Sequence, residues 1–163
     1  FWRYFLSPII RYLSALKVEG AENLPKSGAI YVPNHTSHLD APLLITSLPE
    51  RQKLRLVVAA AMDTFYLERK KAFLTTLIFN GIPIDRLKVN RRSAQLALEL
   101  LEDGWNVLLF AEGGRTPDGN LQEFKAGAAY LAERARVPVV PVYIHDAGLL
   151  QGKRFAKAPV FKN

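Results

Sequence analysis

The sequence contains no cysteine among its 163 residues and only three histidines. Without cysteine, a disulfide scaffold, a thiolate metal site and a cysteine nucleophile are all excluded. A zinc site would have to depend on carboxylates, so we expect no metal. No apolar run approaches the ~20 residues that a helix needs to cross a bilayer. These absences leave chemistry carried by histidine, carboxylate and arginine side chains.

Basic residues outnumber acidic ones by 22 to 15, which gives a formal net charge of +7. Such a balance favours anionic partners, namely nucleic acid, anionic lipid or phosphorylated substrates. The basic residues are scattered and no aromatic-rich recognition motif accompanies them, so we expect no nucleic-acid partner. Anionic lipid, as on a membrane surface, and phosphorylated substrates stay open as partners.

Apolar runs alternate with helical patterns along the chain. Because the strand candidates are continuously apolar, they predict a sheet that is buried on both faces. The fold class is therefore α/β: a single domain over 1–163 with a central, mostly parallel or mixed sheet flanked by helices. Its C-terminal part is expected to continue beyond residue 163. The predicted strands are Ala29–Val32, Leu54–Ala59, Ile82–Ile84, Val107–Phe110 and Val139–Ile144, and the predicted helices are Ala41–Leu48, Thr64–Phe79, Arg92–Glu102 and Leu121–Arg136.

An N-terminal amphipathic helix is predicted over residues 8–17, with Ser7 and Pro8 as its start. Two interpretations fit it. The helix packs on the domain through its apolar face, or residues 1–17 form a segment that lies in a membrane interface. Periodicity does not separate the two. The shared apolar face consists of Ile9, Ile10, Leu13 and Leu16.

A His-x4-Asp pattern, His35 and Asp40, follows the first predicted strand. Histidine can take a proton from a hydroxyl near neutral pH, and a carboxylate can hold it in the right tautomer. His38, two residues before Asp40, is an alternative partner for that carboxylate. A structural interpretation is also open, since Ser37 and Asp40 fit a capping box before a helix.

Two further clusters carry charge at strand ends. Arg86 follows a short strand beside Asp85, and it is either a phosphate ligand or half of a surface ion pair. The second cluster follows the predicted fourth strand. Its two glycines allow close backbone approach and present amides to an anion, at the end of a strand where α/β proteins bind ligands. That cluster reads Glu112, Gly113, Gly114 and Arg115.

The order of the motifs is more specific than any one of them. Four blocks occur in the order 34–40, 81–86, 110–115 and 137–142. This combination resembles the glycerolipid acyltransferase family, whose best-known members are the 1-acylglycerol-3-phosphate acyltransferases. The resemblance covers about residues 15–145.

The resemblance implies an enzyme, a glycerolipid O-acyltransferase. It would move a fatty acyl group from acyl-CoA or acyl-carrier protein to a hydroxyl of a phosphate-bearing, lysophosphatidate-like glycerolipid. His35 would be the general base, Asp40 would orient it, and Arg86 would bind the acceptor's phosphate. No cofactor is implied beyond the acyl donor as co-substrate. The enzyme would work as a peripheral or monotopic protein on the cytoplasmic face of a membrane.

The resemblance gives the third block a part in the acceptor site. Glu112 and Gly113 would shape that site, Arg115 would add positive charge, and amides near Gly113 and Gly114 would stabilise the oxyanion. Two positions depart from the family pattern: Ala111 and Gly114 stand where relatives have proline and threonine.

The acceptor stays open on the sequence. Many relatives carry a lysine after the second strand that helps to hold the acceptor's phosphate, but residues 58–62 contain no basic side chain. Glycerol-3-phosphate, a lysophospholipid or a glycolipid are therefore alternative acceptors. A catalytically silent module that binds anionic lipid is a further alternative, which His35→Ala would distinguish because only an enzyme would lose turnover.

Overall fold

A six-stranded sheet forms the centre of the protein in a computed structural model that describes residues 5–14, 16–85, 91–116, 120–145 and 159–161. The strand order is β3-β2-β4-β1-β5-β6. The first five strands pair in parallel, and β6 pairs with β5 in antiparallel orientation. The strands are β1 (Ile30–Pro33), β2 (Leu56–Ala61), β3 (Gly81–Ile84), β4 (Asn106–Leu108), β5 (Val139–Ile144) and β6 (Pro159–Phe161).

Helices connect the parallel strands, as crossovers between parallel strands require. Helix α1 (Ser7–Ser14) precedes β1, and the connecting helices are α2 (Asp40–Ser47), α3 (Glu50–Leu54), α4 (Met62–Phe65), α5 (Arg69–Phe79), α6 (Arg91–Glu102) and α7 (Gly127–Ala135). No helix within the described ranges is both long and apolar enough to cross a membrane. The predicted α/β class with a mostly parallel sheet is confirmed.

The two faces of the sheet carry separate hydrophobic clusters. Successive strand residues point to opposite faces, so a strand buried on both sides is apolar throughout. Tyr31 packs with Leu43 and Leu44 of α2 on one face. Ile30 and Val32 pack on the other face with residues of α6 and α7. This two-sided burial explains why the sequence of β1 shows no alternation.

Three predicted elements differ from the structure. The helix predicted over 64–79 is two helices, because α4 ends at Phe65 and α5 begins only at Arg69. The helix predicted over 121–136 begins at Gly127, because the chain before it bonds to the loop after β4: Lys125 N donates to the Ala111 carbonyl at 2.9 Å. The expectation of burial on both faces is wrong for β5, which alternates between exposed and buried residues.

The carboxyl ends of the parallel strands lie at one edge of the sheet. In α/β folds this edge is where ligands bind, because the loops after the strands meet there. The His-x4-Asp loop follows β1, and the Glu-Gly-Gly-Arg loop follows β4, which is hydrogen-bonded to β1. The topology therefore brings together two motifs about 75 residues apart in sequence.

Candidate active site

Asp40 holds both His35 and the loop that carries it. The Asp40 side chain is fully buried, and its Oδ2 lies 2.9 Å from His35 Nδ1. The same oxygen accepts hydrogen bonds from the amides of Thr36 at 2.7 Å and Ser37 at 2.8 Å. Asp40 is also the first residue of α2, where the helix dipole favours a negative charge. The expected capping box is wrong, because the N-cap of α2 is Leu39 and it makes no side-chain cap hydrogen bond, whereas the catalytic role of the His35–Asp40 pair stays a prediction.

The contact with Asp40 determines which ring nitrogen of His35 is available. A carboxylate oxygen accepts hydrogen bonds, so the His35 tautomer with its proton on Nδ1 matches this contact and leaves the lone pair of Nε2 for a substrate. His38, the alternative partner, is instead exposed and lines the neighbouring cavity. The structure therefore pairs Asp40 with His35.

Phe110 stacks on the imidazole of His35. The ring centroids are 3.9 Å apart and the ring planes meet at 23°. Stacking and the Asp40 bond together restrict the ring, which is a fifth exposed. Sequence reasoning gave Phe110 no role. Its place directly before Ala111 and Glu112 was the only available signal.

Glu112 is a buried anchor for main-chain groups. Its Oε1 accepts from the His35 amide at 2.8 Å. Its Oε2 accepts from Thr116 Oγ1 at 2.9 Å and from the Gln122 amide at 3.1 Å. The Thr116 amide in turn donates to the His35 carbonyl at 2.8 Å. Glu112 therefore acts on the site through the position of His35, and it is not among the residues that line the cavity.

The two glycines of the third block differ in their surroundings. Gly113 has φ +71°, and a β-carbon there would lie 2.7 Å from Lys125 Nζ. A β-carbon at Gly114 would meet nothing within 4 Å. The Gly113 amide donates to the Phe110 carbonyl at 3.1 Å, so of the two expected oxyanion donors only the Gly114 amide is left for a ligand. Lys125 brings a cation to this loop that no motif in the sequence indicated.

A cavity of about 340 Å³ opens beside His35. Its wall is largely apolar and includes residues 58–61 at the end of β2, Phe65 and Phe79. Arg115, which is exposed, also lines it. The arrangement places a proton-accepting nitrogen and a cation on the wall of a space suited to an apolar chain.

Arg86, the predicted phosphate ligand, lies outside the described residues. The strand before it ends at Ile84, which lines the same cavity. Within the described ranges, no three histidine, aspartate or glutamate side chains are grouped as a metal site. Of the predicted site residues, the structure brings together His35, Asp40, Glu112, Gly113, Gly114 and Arg115.

Comparisons with known proteins agree on one family. A model of the family described as Acyltransferase matches residues 15–145. The chain is 32% identical over 143 residues to the chloroplastic 1-acyl-sn-glycerol-3-phosphate acyltransferase LPAT1 of Arabidopsis thaliana, covering 82% of this chain and 36% of that protein. It is 33% identical over 139 residues to the human 1-acyl-sn-glycerol-3-phosphate acyltransferase alpha, covering 82% and 47%.

A solved structure shares the fold. The 1-acyl-sn-glycerophosphate acyltransferase PlsC from Thermotoga maritima has a TM-score of 0.69 and 26% sequence identity, over 99% of this chain and 65% of that one. The chain thus spans roughly a third to two thirds of the length of these relatives.

Proposed function

The chain belongs to the acyltransferase family, and from that premise we propose that it transfers a fatty acyl group from a thioester donor to a hydroxyl of a lysophosphatidate-like glycerolipid. The observation that carries the proposal is the His35–Asp40 pair on the wall of a largely apolar cavity. The relatives named above are 1-acylglycerol-3-phosphate acyltransferases, which supports this acceptor class.

His35 Nε2 takes the proton of the acceptor hydroxyl as the oxygen attacks the thioester carbonyl. Asp40 stabilises the imidazolium that forms, since its oxygen already accepts from Nδ1. The Gly114 amide donates to the oxyanion of the tetrahedral intermediate. Collapse of that intermediate forms the ester and breaks the carbon–sulfur bond, and the thiolate leaves with the proton returned from His35.

The acceptor's phosphate requires cations near the base. Arg115 on the cavity wall is one candidate, and Arg86 is the other by resemblance. A planar guanidinium can donate two parallel hydrogen bonds to a phosphate. No basic side chain lies in residues 58–62, so these arginines carry the phosphate in this proposal.

The N-terminal helix supports association with a membrane surface. The helix is attached to the domain through Ile10, which packs on a core cluster, and through Arg11, which donates to the Thr46 carbonyl at 3.3 Å. Ile9 and Tyr12 are exposed. Large exposed apolar side chains on a helix that is attached to the domain suit contact with a membrane interface. We place this surface on the cytoplasmic side, where acyl-CoA and acyl-carrier protein are found.

Thiol release tests the activity. The protein is mixed with long-chain acyl-CoA and lipid vesicles, with and without lysophosphatidate, and free thiol is followed with a colorimetric reagent. The protein adds no background because it has no cysteine. We expect release that depends on lysophosphatidate and that falls at least ~10²-fold in His35→Ala.

Two controls are needed, one that separates loss of the base from loss of folding and one that compares possible acceptors. Folding of His35→Ala is checked by urea unfolding, where we expect a loss of about 1–3 kcal/mol from the missing Phe110 stack and the missing hydrogen bond to buried Asp40. Glycerol-3-phosphate, a lysophospholipid and a glycolipid replace lysophosphatidate in parallel reactions. A faster rate with any of them would reassign the acceptor, and wild-type turnover in His35→Ala would reject the base.

A further inference from the structure

Helix α5 presents opposite faces to the cavity and to solvent. Thr75 and Phe79, one turn apart, line the cavity. Phe73 and Leu77, also one turn apart, lie about 120–160° from them around the helix at 100° per residue. Phe73 is 66% exposed and Leu77 is 57% exposed. The helix that forms part of the cavity wall therefore also presents large apolar side chains to solvent.

The apolar surface extends beyond these two residues. Leu74 lies beside them on α5, and Leu67 lies in the turn before the helix. Both are at least half exposed. We call Leu67, Phe73, Leu74 and Leu77 the α5 outer face. A contiguous group of large exposed apolar side chains marks an interaction surface rather than ordinary surface composition.

Cations cluster where α5 begins. Arg69, Lys70 and Lys71 form its first turn, which contains no acidic residue. The positive end of a helix dipole repels cations, so helix stability does not account for them. Lys71 is paired with Glu68 at 2.6 Å, whereas Arg69 and Lys70 form no ion pair within the described part of the chain. Two cations thus border the α5 outer face without a protein counterion there.

We propose that the α5 outer face docks on an anionic lipid bilayer, with Arg69 and Lys70 on the headgroup phosphates. Apolar side chains bordered by cations match the acyl boundary and the charge of such a surface. Helix α5 is also on the same side of the sheet as α1, because Phe79 and Ile10 pack on one core cluster. Docking would hold the cavity wall against the bilayer from which lipid substrates come.

Vesicle flotation without any substrate tests this docking. Vesicles of phosphatidylcholine with phosphatidylglycerol are compared with phosphatidylcholine alone. We expect Phe73→Ser/Leu77→Ser to bind the mixed vesicles at least about tenfold more weakly. Arg69→Gln/Lys70→Gln should weaken the same binding by about tenfold or more, since each cation near an anionic surface counts about fivefold.

Matched controls come from the other side of the sheet. Leu96 on α6 and Tyr130 on α7 are also large, apolar and exposed, but their helices pack on the opposite cluster. Leu96→Ser and Tyr130→Ser should therefore leave vesicle binding unchanged. If the Phe73/Leu77 variant does not fold, the charge variant carries the test, since both of its residues are exposed and pair with no acidic side chain among the described residues.

Two results would overturn the docking surface. One is wild-type vesicle binding by both α5 variants. The other is a wild-type dimer that the Phe73/Leu77 variant dissociates while vesicle binding persists, which would make a second copy of the chain the occupant. The inference uses the proposed reaction only to explain why docking is useful. Flotation involves no turnover, so a failed thiol assay would reject the reaction and leave the flotation result standing.

Discussion

Two buried carboxylates hold the reactive loop by accepting hydrogen bonds from its main chain. Asp40 accepts from two amides and from the imidazole, and Glu112 accepts from two amides and a hydroxyl. A buried carboxylate without such partners would be strongly destabilising. The same bonds that make these charges tolerable also fix the main chain on both sides of His35. At the scale of single residues, the same hydrogen bonds therefore stabilise the loop and determine the position of His35.

Glu112→Gln should show this shared role. The amide has one acceptor oxygen, so its NH₂ group must face either the His35 amide or the Gln122 amide, which are both donors. We expect the free energy of unfolding to fall by about 1–3 kcal/mol. We expect kcat to fall about tenfold as His35 shifts, while KM for the acceptor changes little.

Urea unfolding and steady-state kinetics on the folded variant provide the two readouts. Glu123→Gln is the matched control, because it removes an exposed carboxylate of the same loop. A large rise in KM with unchanged kcat would instead place Glu112 in direct contact with the acceptor.

The turn after β4 requires a particular backbone conformation at one of its two glycines. The chain leaves β4 at Leu108, and the Gly113 amide returns to the Phe110 carbonyl. The turn needs the left-handed backbone at Gly113, where the Lys125 side chain also passes closely. Gly114 has neither restriction. The neighbouring glycines therefore look alike in sequence but have different structural roles.

Alanine at each glycine separates these roles. Gly113→Ala should lower the free energy of unfolding by about 1–2 kcal/mol, since L-residues are disfavoured in the left-handed region. Gly114→Ala should change it by no more than about 0.5 kcal/mol. Urea unfolding midpoints of the two variants give the comparison. An equal loss of unfolding free energy in both variants would contradict the conclusion that only Gly113 needs the left-handed backbone conformation.

At the scale of the whole molecule, the excess of basic residues acts over distance. The net charge of +7 is distributed along the chain rather than confined to one site. A distributed charge raises the local concentration of the protein near an anionic surface. It does not specify which face of the protein docks, and the proposals assign that part to α1 and α5.

The electrostatic part of membrane association should therefore depend on salt. Raising the ionic strength from about 0.1 M to 1 M shortens the screening length from ~10 Å to ~3 Å. We expect binding to vesicles that contain phosphatidylglycerol to weaken as salt rises, measured by flotation. Binding to pure phosphatidylcholine should hardly change. Equal binding to mixed vesicles at both salt concentrations would show that apolar contact alone drives association.

The sequence by itself determined the fold class and placed a carboxylate within reach of two histidines. Continuous apolar strands between helical segments predicted a sheet covered on both faces from local side-chain periodicity, which holds for β1 but not for β5. Asp40 lies five residues from His35 and two from His38, so the spacing alone left either ring as its partner. Such features depend on residues that are close in sequence, so they can be predicted without the tertiary structure.

Only the tertiary structure decided what depends on contacts between distant segments. It paired Asp40 with His35 rather than His38, stacked Phe110 on the imidazole, and made Glu112 an anchor for the main chain of His35. Phe110 and Glu112 lie about 75 residues from His35 in sequence, and they meet it because β4 pairs with β1. No periodicity or motif encodes such proximity. It arises from strand order, which the packing of the whole chain determines.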